Sequence, residues 1–256
     1  VHTSWLNQNH AYEDAMAHFI ERLFSDENQS FIDDFLSFHR QTSRFGMLNS
    51  LGQLLLKLTA PGIPDTYQGN EVWQLCLVDP DNRRPVDFAA RSEMLASLQY
   101  WMGDTADSVE SKLQELLDNC SDGRIKMYVL WKTLAFRREN PRLFSHGSYH
   151  PLQAAGAAGL HICAFARISG RRAVIAAVPR LVAGLLRKDP ERLPLGPEVW
   201  GKTMLSLPFA LRGCSMFSIL SGEDITGRAD EGGNLAFADL FRHFPVALLA
   251  LDRNVA

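Results

Sequence analysis

The chain has 256 residues, 46% hydrophobic and 21% charged, with 26 basic against 29 acidic side chains and a formal net charge of −3. An apolar fraction of that size, at this length, builds one large core or two smaller ones and excludes disordered, collagenous and low-complexity classes. A pI near 6.3 and the lack of any lysine or arginine run argue against a nucleic-acid partner, because phosphate binding needs a basic patch.

The first part of the chain is helical in pattern. Tyr12, Ala15, Met16, Phe19, Ile20 and Leu23 recur at the spacing of one face of a 3.6-period helix, with Asn9 placed to cap it. Ser30 followed by Asp33 has the form of a capping box ahead of Phe31, Ile32, Phe35 and Leu36. A further series, Leu48, Leu51, Leu55 and Leu58, runs to Thr59, and Pro61-Gly62 stops it. Ile63 to Tyr67 is short and proline-marked and reads as a strand entered from a turn. A loop follows over 69–87. Asp87 can cap a helix to about Met102, Asp107 another to about Asp118, and Asp122 a third ending at Asn140-Pro141.

Near residue 145 both charge and texture change. Residues 1–145 carry a net −6 and residues 146–256 a net +3. The second part is β in pattern, with apolar or β-branched stretches at 160–168, 173–178, 203–207, 217–220 and 246–251, separated by glycine-rich turns. Such spacing predicts a small antiparallel β-sandwich. Residues 180–199, with three prolines and mixed charge, read as an exposed insertion between strands. The predicted division is therefore 1–145 and 146–256, and the fold class is α+β.

Several chemistries can be set aside. Gly196 to Thr203 satisfies GxxxxGK[ST], but a phosphate cradle needs a strand before it and a helix after it; prolines precede this stretch, and an alternating segment leading to Pro208 follows. No GxSxG, HExxH or GxGxxG in strand–helix context occurs, and the eight histidines are scattered. The four cysteines, Cys76, Cys120, Cys163 and Cys214, form no CxxC or Cys/His cluster, so neither a disulfide framework nor a metal site is expected, and a reducing cytoplasm fits. No stretch has the length and apolarity of a membrane span, so no membrane partner is expected. A first residue Val1, in place of methionine, leads us to expect a cut within a longer protein.

What remains is the stretch Thr59 to Asp87. It releases Gln68, Asn70 and Glu71 beyond the expected strand and then runs through Asp79-Pro80-Asp81-Asn82-Arg83-Arg84-Pro85. Carboxylates accept, guanidinia donate and amides do both, which is the chemistry that grips sugar hydroxyls, while Tyr67 or Trp73 can support the apolar face of a pyranose. The plainer alternative is that Asp79, Asp81, Arg83 and Arg84 pair with one another and stiffen a long loop.

The run from Thr59 to Glu71, with Leu77-Val78-Asp79-Pro80-Asp81-Asn82-Arg83-Arg84-Pro85-Val86-Asp87, resembles the last barrel strand and following loop of the maltooligosyltrehalose synthases, within the α-amylase superfamily of retaining α-glucan enzymes. The segment His2-Thr3-Ser4-Trp5, with Asn7, Asn9, Tyr12 and Glu13, is similar to that family too, although Gln8 stands where proline is more usual. So are Leu130 to Phe144 and Asp239 to Leu249. The resemblance implies a mostly helical remnant of the end of a (β/α)8 barrel ahead of the sandwich. It also implies a maltooligosaccharide substrate, conversion of its reducing-end α-1,4 linkage to an α,α-1,1 linkage, and chemistry that needs no cofactor or metal. Gln68, Asn70, Glu71, Asp79, Asp81, Arg83 and Arg84 become candidates for the substrate pocket wall. Retaining chemistry needs two carboxyl groups about 5 Å apart, and in this superfamily they sit at the ends of earlier barrel strands. A whole barrel takes roughly 250 residues, and only one barrel-like strand is legible before residue 145, so no catalytic residue is expected in this chain and the fragment is expected to be inactive. The alternative is a carbohydrate-binding or structural module of another enzyme of the superfamily. Nothing in the sequence indicates oligomeric state.

Overall fold

The computed structural model describes residues 2–252. It contains two compact units, Val1–Gly46 and Met47–Ala256. About 48% of the structure is helical, and its sheets are antiparallel.

In the first unit, helix α1 (His10–Leu23) begins where the sequence places it, with Asn9 Oδ1 accepting from the Tyr12 N–H at 3.2 Å. Thr3 ties this start together: its hydroxyl donates to Glu13 and accepts from the Asn9 N–H. The Thr3, Asn9 and Glu13 spacing is thus the apparatus of a helix start. The apolar stripe of α1 is uncovered, with Met16, Phe19 and Ile20 all exposed. Ser30 does not act as a cap. It lies inside helix α2 (Gln29–Thr59), because a 3-10 turn at Asp26–Asn28 starts the helical path earlier, and Asp33 accepts from Gln29 instead.

In the second unit, the leucine stripe of α2 is buried as its period predicts, Leu55 and Leu58 completely. The expected strand at Ile63–Tyr67 is absent, and those residues form a loop with Ile63 fully exposed. A strand exists through its ladder bonds, and no described segment pairs with this one. Helix α3 (Phe88–Gly103) is capped by Asp87, whose carboxylate accepts from the Ala90 N–H at 2.9 Å. The cap of α4 (Val109–Asp118) is Ser108, one residue after the expected Asp107, and its hydroxyl accepts from Ser111 N–H. Asp122 does accept from the Arg124 N–H, but the residue entering α5 (Arg124–Glu139) is Gly123, in the left-handed region at φ +84°. After Asn140 a short helix α6 (Pro141–His146) starts on a proline at its first position, where the missing N–H is no loss.

Eight strands follow among the described residues: β1 (Ser148–Pro151), β2 (Ala154–Ala155), β3 (Ile162–Ser169), β4 (Arg172–Pro179), β5 (Met204–Ser206), β6 (Ser215–Ser218), β7 (Asn234–Ala236) and β8 (Ala247–Asp252). One sheet has the order β1-β3-β4-β8-β6 and the other β2-β5-β7. Side chains alternate across β4: Val174, Ala176 and Val178 join a core shared with α2 to α6, whereas Ala173, Ile175 and Ala177 join a core shared with Leu205, Leu235 and Trp200. Burial on both faces is why β4 reads as one continuous apolar run. Short helices α7 (Val182–Leu185), α8 (Gly196–Trp200) and α9 (Phe237–Leu240) complete the unit. Residues 180–199 are not simply an exposed insertion, since Val182 and Leu186 are buried and Leu185, Leu195 and Val199 pack against this second core. Across the GxxxxGK[ST] match, a helical turn lies inside the motif and a strand follows it, with the Thr203 hydroxyl accepting from Ala158 N–H; no helix leaves the loop to face a phosphate. Among the described residues no helix is long and apolar enough to cross a membrane.

Candidate functional site

The loop from Ala60 to Asp87 is held at its base by α3 and α5. Gly69 makes this possible: at φ +91° it is buried, and a Cβ there would lie 3.2 Å from Gln74 Oε1 and 3.3 Å from Val86 Cγ2. From α3, Arg91 donates to the Gly69 carbonyl at 3.3 Å, to the Asp87 carbonyl at 3.0 Å and to Glu71 at 3.2 Å. From α5, the Lys126 ammonium donates to the Val72 carbonyl at 2.9 Å. Trp73 closes the same turn by donating from Nε1 to the Cys120 carbonyl at 2.6 Å.

The seven candidate residues fall into two groups. Gln68 is exposed and Asn70 half-buried on a turn closed by the Asn70 N–H and the Tyr67 carbonyl, and Glu71 beside them is committed to Arg91. Further along, Asp79 pairs with Arg83 at 2.6 Å, and Asp81 pairs with Arg84 while accepting from the Leu77 N–H at 2.7 Å. A 3-10 turn at Asp81–Arg83 sets the spacing of these pairs. Exposed ion pairs contribute only about 0–1 kcal/mol, so exchanging a partner for a sugar hydroxyl costs little. The pairing reading and the sugar-contact reading are therefore compatible in the same side chains.

Beside this loop lies an open cleft of about 520 Å³ between α3 and α5, lined by Glu71, Phe88, Arg91, Leu95, Trp131 and Arg138 among others. Sequence reasoning found Glu71 but missed Arg91 and Lys126. The signal for Arg91 is weak, four residues beyond the Asp87 cap, and Lys126 lies 54 residues from the carbonyl that it meets. Burial lowers the pKa of Lys126, nearby Lys57 adds to that effect, and Glu71 partly opposes it. No group of three or more His, Cys, Asp or Glu side chains that could hold a metal occurs among the described residues.

No profile of a known family matches the chain. A Mycobacterium tuberculosis protein assigned as a maltooligosyl trehalose synthase is 32% identical over 251 residues, 98% of this chain and 26% of the relative. The maltooligosyltrehalose synthase of Arthrobacter ramosus superposes with a TM-score of 0.71 at 31% identity, over 97% of this chain and 28% of that one. The chain matches the C-terminal region of maltooligosyltrehalose synthase. A further crystal structure of a maltooligosyl trehalose synthase agrees, with a TM-score of 0.68 and 27% identity over 98% of this chain. The chain spans about a quarter of the length of the synthases that it matches.

Proposed function

We propose that this chain is the C-terminal part of a maltooligosyltrehalose synthase, with residues 59–87 forming a wall of its substrate pocket. The observation that carries this reading is the likeness to such synthases along 98% of the chain. In the intact enzyme a glycosyl-enzyme would form at the reducing end of a maltooligosaccharide. The released glucose would turn in a closed pocket, and its anomeric hydroxyl would attack to give the α,α-1,1 linkage. Two carboxyl groups about 5 Å apart would perform this chemistry, and they would come from the barrel strands that precede this chain. The present residues supply binding: Gln68 and Asn70 by amide hydrogen bonds, Asp79, Asp81, Arg83 and Arg84 by exchanging their mutual pairs for sugar hydroxyls.

Within this reading, 1–145 is the barrel end with its helices and 146–256 a sandwich that covers it. A covering role for the sandwich, rather than glucan binding, is favoured by β4, whose two faces are both occupied by cores. In the intact enzyme, Arg83→Ala or Asp81→Ala shifts product from trehalose-ended oligosaccharide towards plain hydrolysis, because the departing glucose is held less well. An unchanged partition in both variants rejects the pocket-wall assignment. The isolated chain, incubated with maltopentaose, forms no trehalose-ended product; turnover would overturn the placement of the catalytic carboxylates elsewhere.

A further inference from the structure

We propose that Lys126 is a positioning residue for this reaction, fixing the turn Gly69 to Trp73 so that Gln68 and Asn70 meet the substrate; this rests on the pocket-wall reading above. Five observations converge on that turn. Lys126 is only 8% exposed, yet it carries a cation whose hydrogen bond goes to the Val72 carbonyl. Its Nζ also lies 5.5 Å from the centre of the Trp73 ring, near enough for the ring face to attract the charge. Trp73 is anchored in turn to Cys120, at the entrance of α5. Gly123, the residue that enters α5, leaves room for Val72, since a Cβ there would lie 2.9 Å from Val72 Cβ. On the other side Arg91 holds Gly69 and Glu71 from α3, so the turn is gripped between two helices.

Packing alone does not account for a lysine at this position. A methionine of similar length would fill the same space without the desolvation that lowers the pKa of the buried ammonium. What the ammonium adds is direction: a charged donor fixes the orientation of one carbonyl and with it the two residues on either side. Fixed orientation of groups around a reacting sugar is the property on which a closed transfer to one acceptor depends, and misplacement by an ångström is costly in rate.

The test uses the full-length enzyme with Lys126→Met, which keeps the stem and removes the donor, and Lys126→Arg, which restores a cationic donor. In Lys126→Met, amide hydrogen exchange at 69–74 rises about tenfold while β4 amides stay protected, and the ratio of trehalose-ended product to hydrolysis falls about tenfold. Lys126→Arg recovers part of both. Unchanged exchange at 69–74, or an unchanged product ratio in a destabilised Lys126→Met enzyme, overturns the proposal in favour of a purely structural lysine. A wild-type enzyme that forms no trehalose-ended product rejects the functional reading itself, and the exchange measurement then decides alone whether Lys126 holds the turn.

Discussion

The Arg167 guanidinium on β3 donates to the Thr59 carbonyl at 3.3 Å, joining the sheet to the end of α2 across 108 residues of chain. The same group donates to the Phe144 carbonyl at 3.0 Å and the Gly147 carbonyl at 2.8 Å, at the end of α6. Arg137 completes the arrangement by donating to the Leu58 and Gly62 carbonyls, both at 2.8 Å. The last carbonyls of a helix have no partner within it and carry partial negative charge. Two arginines therefore cap two helix ends at the point where the chain turns into the candidate loop.

Replacing Arg167 by methionine should keep the packing of the stem and leave those buried carbonyls without donors. Burial, and then the neighbouring Arg137 charge, lowers the pKa of Arg167, but a guanidinium remains a cation at any pH of interest. The expected loss is about 3 kcal/mol of unfolding free energy, in the range found when one partner of a buried charged network is removed. Urea denaturation measures it. A loss below about 1 kcal/mol would mean that the carbonyls find other donors at little cost.

Tyr128 gives the fold an alkaline limit. Its hydroxyl donates to the Leu220 carbonyl at 2.6 Å, and burial pushes its pKa well above the ordinary tyrosine value. Below about pH 10 the phenol is neutral in folded and unfolded chains alike, and its contribution is fully present. Above that, the unfolded chain releases the proton while the folded one keeps it, so stability falls as pH rises. Lys126 and Lys132, whose pKa values burial lowers, act in the opposite direction in this range, so the informative comparison is with Tyr128→Phe. That variant should be less stable at neutral pH by about 1–2 kcal/mol, and its stability should fall less steeply above pH 10. Parallel stability curves for the two proteins between pH 9 and 11 would show that the phenol ionises equally easily in both states.

These cases mark what the sequence makes legible. The Asn9 and Asp87 caps are readable because a cap and its N–H lie three residues apart. The stripe of α2 and the runs of β3, β4 and β8 are readable because burial imposes its period on one segment at a time. The strand expected at Ile63–Tyr67 is not, because strand formation depends on neighbours that no local pattern contains. β1 and β7 escape for a related reason: each has four residues or fewer and mixed polarity, and is defined by the strand beside it. At the site, the alternation of Asp79, Asp81, Arg83 and Arg84 announces local pairs, and the structure contains them. Arg91, Lys126 and Arg167 are invisible in the same sense as Ile63–Tyr67, since each is defined by a distant carbonyl.

Two glycines with positive φ differ in what an added methyl group would meet. Gly170 sits in the two-residue connection between β3 and β4 at φ +57°, where a Cβ would meet nothing within 4 Å. Gly156 has φ +115°, and a Cβ there would lie 2.8 Å from Thr203 Cα, in the backbone just ahead of β5. Alanine at Gly170 meets only the left-handed penalty, about 1–2 kcal/mol. At Gly156 the same change also forces the β2–β5 pairing apart, since main chain cannot rotate away as a side chain can. Gly156→Ala should therefore be the more damaging by about 2 kcal/mol, with raised amide exchange in β5. Chemical denaturation of the two variants provides the comparison, and equal losses would show that the second sheet yields to the added methyl group without strain.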